Sequence, residues 1–169
     1  MQRQTETLNK NMPANPSFVI HQLSAKDMGM MSALLDMFGV AFDDTETYGK
    51  ARPGKAYFER LISGDQFIAL AAVKDGAVIG GLAAYELHKF EQERSEVYVY
   101  DLAVSESQRR KGVATALLNA LNVIAGERNA YVIFIQADLA DVPAIALYTK
   151  LGVREDVLHF DIPVVSVRR

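Results

Sequence analysis

The chain contains no cysteine, and this absence removes several kinds of chemistry at once. Disulfide bridges, thiolate metal sites and a cysteine nucleophile are excluded, and so is an intermediate carried on an enzyme thiol. The absence also fits a reducing compartment. Three histidines are present, His21, His88 and His159, and they lack the spacing of metal ligands. We therefore predict no metal site.

An excess of positive charge and a long apolar run are also missing. Lys and Arg number 18 against 21 Asp and Glu, which gives a net charge of −3. This balance argues against general nucleic-acid binding, because that binding depends on neutralising phosphates. No apolar run approaches the roughly 20 residues of a membrane helix. The N-terminus lacks the apolar core of a signal peptide, so we expect residues 1–16 to be a flexible leader and the protein to be soluble and cytoplasmic.

Apolar sequence is plentiful enough for one domain. Half of the 169 residues are apolar or aromatic, so residues 17–169 are predicted to form a single domain. Apolar periodicity and turn signals predict the order strand, two helices, hairpin, strand, helix, strand, helix, strand. The predicted strands include 18–23, 97–104, 130–137 and 157–162, the Asp75-Gly76 turn makes the hairpin, and helices are expected at 27–42, after Pro53, at 112–126 and within 141–153. This order predicts an α/β fold in which helices cover both faces of a mixed, mostly antiparallel central sheet.

The stretch SESQRRKGVATALL, residues 105–118, places three cations where a helix is predicted to begin. Cations oppose the positive end of a helix dipole, so their presence there favours a site for an anion. Gly112 and Ala114 are small enough to let a ligand approach the main chain. The alternative interpretation is a solvated basic loop that precedes a helix by accident.

Three motifs in this order resemble the GCN5-related N-acetyltransferases. RRKGVA at 109–114 resembles their Arg/Gln-x-x-Gly-x-Gly/Ala pyrophosphate loop, YVYDLAV at 98–104 resembles their fourth strand, and DVPAIALYTKLGVRE at 141–155 resembles a later helix. Longer stretches closely resemble the small aminoglycoside 3-N-acetyltransferases. This resemblance implies transfer of acetyl from acetyl-CoA to the 3-amine of the 2-deoxystreptamine ring in drugs such as gentamicin. It also implies a homodimer, and the lack of cysteine favours direct attack in a ternary complex.

The resemblance also implies where acetyl-CoA binds. The pyrophosphate is expected on the loop and the first helical turn, with the pantetheine arm along the main chain of a splayed fourth strand. The implied contact residues are Leu102, Ala103, Val104, Arg109, Arg110, Lys111, Gly112, Val113, Ala114 and Thr115. For Leu102 and Val104, simple core packing is an equally natural interpretation, and both interpretations hold together because the proposed contacts use the backbone.

Two residues are candidates for catalysis. Asp101 interrupts an apolar, aromatic strand, and a buried carboxylate is costly unless it is paired. It is expected to take a proton from the substrate ammonium or to hold that cation, while the alternative is a structural acid bound by backbone donors. Tyr148 resembles the tyrosine that the family places near the sulfur of CoA, where it protonates the leaving thiolate. The alternative is a tyrosine packed among apolar helix residues.

A polycationic acceptor calls for a site rich in carboxylates. The predicted substrate-binding residues are Glu96, Tyr100, Asp101, Asp138 and Asp141. Acidic loops suit any polycation, so another polycationic amine or a protein amine remains open as acceptor. A non-catalytic acyl-CoA sensor remains open as well. The sequence has no GxSxG elbow, P-loop or GxGxxG run to support a hydrolase, NTPase or dinucleotide-binding protein.

Overall fold

The computed structural model describes residues 17–50 and 52–165. The predicted leader, residues 1–16, lies outside this range. The described residues fall into two compact units, and the division between them follows Gln136. The expectation of one domain over residues 17–169 therefore stays a prediction.

The first unit is built on five strands in the order β1-β2-β3-β4-β5. The strands are β1 Val19–Gln22, β2 Phe67–Lys74, β3 Ala77–His88, β4 Ser95–Val104 and β5 Ala130–Ile135. The first three pairings are antiparallel, and β5 runs parallel to β4. Asp75 and Gly76 connect β2 to β3 with positive φ angles of 50° and 80°, as expected for this hairpin turn. The predicted mixed, mostly antiparallel sheet is confirmed.

Helices cover both faces of this sheet, as predicted. The helices of the first unit are α1 Met28–Ala41, α2 Lys55–Ser63 and α3 Val113–Glu127. One apolar core lies between α3 and the sheet and includes Leu82, Val99 and Leu117, each almost fully buried. A second core contains buried residues of α1 together with Ala69 and Ala71 of β2. Each face of the sheet is therefore stabilised by its own layer of buried apolar surface.

Glycine in β3 permits the close approach of α1. A Cβ built on Gly81 meets the Leu70 carbonyl oxygen at 2.6 Å and overlaps the side chain of Leu34 on α1. No larger residue fits without moving the helix or the strand. The missing side chain lets α1 rest directly on the centre of the sheet, which fixes where the loop after α1 begins.

Two helices begin close to their predicted starts. Helix α1 begins after Asp27, whose carboxylate accepts hydrogen bonds from the Ser24 amide at 2.9 Å and its hydroxyl at 2.6 Å. This pair closes a turn that precedes the helix. Helix α2 begins after Pro53, as predicted, and Gly54 is its N-terminal cap. Between α1 and α2 lies a short π-helical turn, Glu46–Lys50.

The second unit, residues 137–165, contains helix α4 Val142–Leu151. The helix lies within the predicted range 141–153, with Pro143 in its first turn and Gly152 as its C-terminal cap. The predicted last strand, residues 157–162, is wrong: this segment is irregular, and Val157, Leu158 and Phe160 are exposed. Its alternating apolar pattern suits a strand, but a strand also requires a neighbour to pair with, and none of the described strands pairs with it.

Candidate functional site

A β-bulge in β4 turns Asp101 toward the face that α1 covers. Ala84 of β3 pairs with Val99, and the next residue, Ala83, pairs with Asp101, so Tyr100 is the extra residue. Without a bulge Asp101 would share the face of Val99, which is buried under α3. The extra residue shifts the alternation of side chains along β4, so the carboxylate of Asp101 lies on the opposite face of the sheet from Val99.

The carboxylate of Asp101 is partly buried and has one identified side-chain partner. The hydroxyl of Tyr48, in the π-helical turn after α1, donates a hydrogen bond of 2.8 Å to Oδ1 of Asp101. Burial raises the pKa of Asp101 because it disfavours the charged form, and the hydrogen bond from Tyr48 offsets part of this effect. The result is a carboxylate that is a stronger base than a solvated aspartate.

Aromatic rings extend from this carboxylate across β2 to β5. Ring centroids lie 5.3 Å apart for Phe67 and Tyr85, 6.1 Å for Tyr85 and Tyr100, and 5.8 Å for Tyr98 and Tyr100. Tyr98 also stacks on Phe134 at 4.8 Å. Tyr100 is 64% exposed, so this aromatic face is open to solvent beside Asp101. Tyrosine rings next to a carboxylate form a surface that favours cations.

The main chain of β4 is open along one edge beyond the bulge. Its parallel pairing with β5 runs from Ser95 to Val99, whereas the strand continues to Val104 and stays paired with β3 on the other side. The pairing with β5 ends where β5 itself ends, at Ile135, so no described strand pairs with residues 100–104 on the side away from β3. A strand edge of this kind accepts an extended ligand by main-chain hydrogen bonds.

The basic loop leads from this open edge into α3. Arg110 and Gly112 both have positive φ angles, 60° and 82°, and Gly112 is the N-terminal cap of α3. A Cβ built on Gly112 meets no atom within 4 Å, so the space in front of the helix end is free on this side. No side chain caps this N-terminus. The first-turn N–H groups thus remain available for an anion.

Two of the three cations also stabilise the loop itself. The Arg109 guanidinium donates to the Val104 carbonyl at 3.3 Å, and the Lys111 ammonium donates to the Ser107 carbonyl at 2.7 Å. These contacts belong to the interpretation as a folded basic loop, but they leave positive charge beside the helix end. The charge and the free backbone donors together suit a phosphate.

A family match agrees with this combination of an unpaired strand edge and a basic loop before an uncapped helix N-terminus. The model of the acetyltransferase (GNAT) family matches residues 31–153. The chain belongs to the GNAT acetyltransferase family. Enzymes of this family use acetyl-CoA in general, and the fold described above is the GNAT fold.

Solved structures of other GNAT proteins resemble the chain along most of its length. An aminoglycoside acetyltransferase from an uncultured soil metagenomic sample is 59% identical, with a TM-score of 0.86, and the match covers 88% of this chain and 99% of that one. A second such acetyltransferase from a soil metagenome, in complex with sisomicin, is 26% identical with a TM-score of 0.81 over 87% and 96% of the two chains.

A curated GNAT relative matches over a shorter stretch. The N-alpha-acetyltransferase of Saccharolobus solfataricus is 41% identical over 59 residues, which are 34% of this chain and 35% of that protein. The matched region spans about a third of the length of the curated relatives.

The structure places the other predicted acidic residues in separate surroundings. Glu96 lies near the start of β4, about 13 Å from Asp101 along the strand, because their partners on β3, Leu87 and Ala83, are four residues apart. It accepts a hydrogen bond from Tyr131 at 2.8 Å and pairs with Lys89 at 3.8 Å. Asp141 accepts from the Ala144 amide at 3.0 Å and caps α4, as helix N-caps commonly do.

Asp138 is exposed and lies, like Asp141, in the second unit. Its backbone carbonyl accepts the Asp141 amide at 2.9 Å, which forms the turn before α4. Of the predicted substrate residues, the first unit therefore brings together Tyr100 and Asp101, while Glu96 lies toward the opposite end of β4.

Tyr148 lies on α4 and is partly buried. Burial raises its pKa to about 12, and the negative charge of Asp141 contributes. A phenol with this pKa stays protonated at neutral pH, so it is a hydrogen-bond donor and a weak acid. The phenol can therefore donate a hydrogen bond, and its proton is held more tightly than in a free tyrosine.

Tyr48 is the site residue that sequence reasoning missed. It stands in a polar loop, 53 positions before Asp101, and none of the recognised motifs includes it. The only sequence signal is a lone aromatic residue in DDTETYGK, which by itself does not indicate a partner.

Within the described residues, no group of three His, Asp or Glu side chains is arranged to hold a metal. No helix in the same range is long and apolar enough to cross a membrane.

Proposed function

We propose that the chain transfers the acetyl group of acetyl-CoA to the 3-amine of the 2-deoxystreptamine ring of aminoglycosides, by direct attack in a ternary complex. The observation that carries the chemistry is Asp101, a partly buried carboxylate turned by a bulge onto an exposed aromatic face, next to an open strand edge and an anion loop. The likeness to aminoglycoside acetyltransferases supports the choice of acceptor.

The loop and the open edge of β4 fit the donor. Backbone N–H groups from Arg110 to Thr115 are proposed to bind the pyrophosphate, with the basic side chains contributing charge. The main chain from Leu102 to Val104 is proposed to hold the pantetheine arm, and an N–H near Ala103 to polarise the carbonyl. Acetyl-CoA, when bound, supplies the acetyl group as a thioester. Gly112 supports this assignment because a side chain there would occupy the space in front of the helix end.

Asp101 is proposed to accept the proton that the attacking amine loses. The acceptor enters as an ammonium ion, and only the neutral amine carries a lone pair for the new carbon–nitrogen bond. A carboxylate whose pKa is raised by burial is better matched to this proton transfer than a solvated one. As the carbon–sulfur bond breaks, the resemblance assigns to Tyr148 the donation of a proton to the thiolate. The tyrosines beside Asp101 support binding of a cationic sugar ring.

A second candidate acceptor is the N-terminal amine of a protein. The 41% identity to an N-alpha-acetyltransferase over 59 residues favours it, although the matched stretch is about a third of either chain. Both candidates use the same donor site and the same base. They differ in whether the acceptor is a compact polycation or an extended peptide, so substrate profiling separates them.

The test is steady-state release of CoA from acetyl-CoA with gentamicin, spermidine or a peptide amine as acceptor. We expect release with gentamicin, an acetyl group on the 3-amine when the product is examined by NMR, and initial-velocity lines that intersect when both substrates are varied. Asp101→Asn should bind CoA normally and lose most of the transfer rate. Turnover of the peptide alone would replace the aminoglycoside by a protein amine, and CoA binding without turnover of any amine would favour a sensor.

We also propose that the protein is a cytoplasmic homodimer. The exposed apolar side chains of residues 157–165 support the dimer, because apolar area of this kind is commonly covered in an oligomer. Sedimentation equilibrium tests this, and a monomeric mass at micromolar concentration would contradict it.

A further inference from the structure

A tyrosine outside every recognised motif contacts the central carboxylate of β4. We propose that Tyr48 is a positioning residue for the acetyl transfer: its hydroxyl holds one oxygen of Asp101 and leaves the other for the acceptor amine. This inference rests on the proposed function, because the position of Asp101 matters to the reaction only if that carboxylate takes the proton.

The hydrogen bond itself has a fixed direction. The Tyr48 hydroxyl carries one proton, and it points that proton at Oδ1 of Asp101 over 2.8 Å. Burial and the neighbouring carboxylate of Asp101 raise the pKa of Tyr48 far above its usual value. The phenol therefore stays protonated, and remains a hydrogen-bond donor, at acidic and neutral pH. A donor to the ionised form favours that form, and it leaves the lone pairs of Oδ2 for another partner.

Packing holds the Tyr48 ring in one place. Its centroid lies 5.9 Å from that of Phe38 and 5.5 Å from that of Phe42, both close to the end of α1. A Cβ built on Gly39 comes within 3.3 Å of the Cβ of Tyr48, so α1 offers a gap where the tyrosine backbone approaches. A phenylalanine at position 48 keeps these contacts and removes only the hydroxyl.

Arg52 fixes the backbone of the same turn. Its Nε donates to the Tyr48 carbonyl at 2.9 Å, while its guanidinium bonds the hydroxyl of Ser32 at 2.9 Å and the carboxylate of Asp36, both on α1. The loop that carries Tyr48 is therefore attached to α1 by its side chain and by its main chain. Because Tyr48 is held in this way, its hydroxyl can fix the position of the Asp101 carboxylate.

Other titratable groups lie near the hydrogen-bonded pair of Tyr48 and Asp101. They are Asp44 after α1, Tyr85 on β3, and Tyr98 and Tyr100 on β4. Burial raises the pKa of Tyr85 and of Tyr98, so neither phenol ionises in the range where a carboxylate titrates, and Asp44 is itself an acid. The Tyr48 hydroxyl is thus the group that favours ionised Asp101 against the opposing effect of burial.

The experiment compares wild type, Tyr48→Phe, Tyr131→Phe and Asp101→Asn in full-length protein. The side-chain 13C resonance of Asp101, assigned by its loss in Asp101→Asn, is followed against pH, and the acid limb of kcat/KM is measured in parallel. Tyr131→Phe is the matched control, because Tyr131 donates over the same 2.8 Å to a carboxylate of β4, that of Glu96. Circular dichroism melting checks that each variant is folded.

We expect Tyr48→Phe to raise the pKa of Asp101 and move the acid limb upward by about one pH unit, the effect of losing one hydrogen bond to a carboxylate. Tyr131→Phe should leave both values in place. If Asp101 titrates identically in wild type and a folded Tyr48→Phe, the inference is overturned. If instead Asp101→Asn transfers acetyl at the wild-type rate, the proposed role of Asp101 has failed, whatever the resonance shows.

Discussion

Gly112 and Gly76 allow the donor site to be tested with two nearly identical perturbations. Gly112 has a φ of 82° at the start of α3, and Gly76 has a φ of 80° in the hairpin between β2 and β3. A Cβ built on either meets no atom within 4 Å. Alanine therefore causes no collision at either position, but it makes the left-handed backbone less favourable at both.

The expected stability cost is the same for both variants. An L-residue in this region costs about 1 kcal/mol relative to glycine. For a chain of 169 residues, 1 kcal/mol corresponds to a fall of about 2–4 °C in Tm. Gly112→Ala and Gly76→Ala should consequently melt within a degree or two of each other, a few degrees below wild type, when followed by circular dichroism.

Function should separate the two variants. The methyl group of Gly112→Ala occupies the free space before the N-terminus of α3, or the loop turns to avoid the strained φ and misdirects its N–H groups. Either response removes about one charge-assisted hydrogen bond to the pyrophosphate, worth roughly 1.5 kcal/mol, so the Kd for CoA should rise about tenfold. Gly76→Ala should bind CoA as wild type does. Equal CoA affinities for the two variants, measured by titration calorimetry, would refute the placement of the pyrophosphate.

Two further predictions concern stability and pH. Burial raises the pKa of Asp101 in the folded protein above its ordinary value of 3.8, so wild type loses stability as pH rises from 3.8 through the folded pKa. The Tm of Asp101→Asn relative to that of wild type should therefore increase over this pH range. Parallel Tm–pH curves for the two proteins would contradict this. Burial acts to raise the pKa of Glu86, but hydrogen bonds from Ser95 and Arg128 outweigh it and lower the pKa. Arg128→Met should therefore cost about 1–3 kcal/mol at neutral pH in urea unfolding and less as pH falls toward 4, whereas Arg154→Met, which breaks an exposed pair, should cost almost nothing.

The fold was largely accessible from sequence because its signals are local. The Asp75-Gly76 turn, the apolar arms of β2 and β3, and the amphipathic pattern of α3 each predict their own structure without knowledge of distant residues. Residues 157–162 show where this reasoning fails. Their alternating apolar pattern favours a strand. A strand forms only when another strand pairs with it, however, and the sequence of the segment does not show whether such a partner exists.

The site was accessible only where its chemistry depends on a short motif. The loop proposed to bind the pyrophosphate combines a glycine with positive φ, basic residues and a helix start within a few positions, so the sequence indicates it directly. Glu96 and Asp141 show the limit of reasoning from residue type. Glu96 accepts a hydrogen bond from a tyrosine hydroxyl, and Asp141 accepts one from a helix amide. Neither hydrogen bond could be inferred from the fact that the residue is acidic.

The bulge at Tyr100 explains why the function of Asp101 could be suspected but its surroundings could not. Strict alternation along β4 puts position 101 with Val99 beneath α3, where a carboxylate would have to be neutralised or bound by buried donors. One extra residue reverses the face, and only then does Asp101 meet Tyr48 and the exposed rings of the opposite layer. Register therefore decides whether this carboxylate lies under α3 in the core or beside an exposed aromatic surface. Because register arises from the pairing of β3 with β4, the partner of Asp101 follows from tertiary structure and not from the strand that carries it.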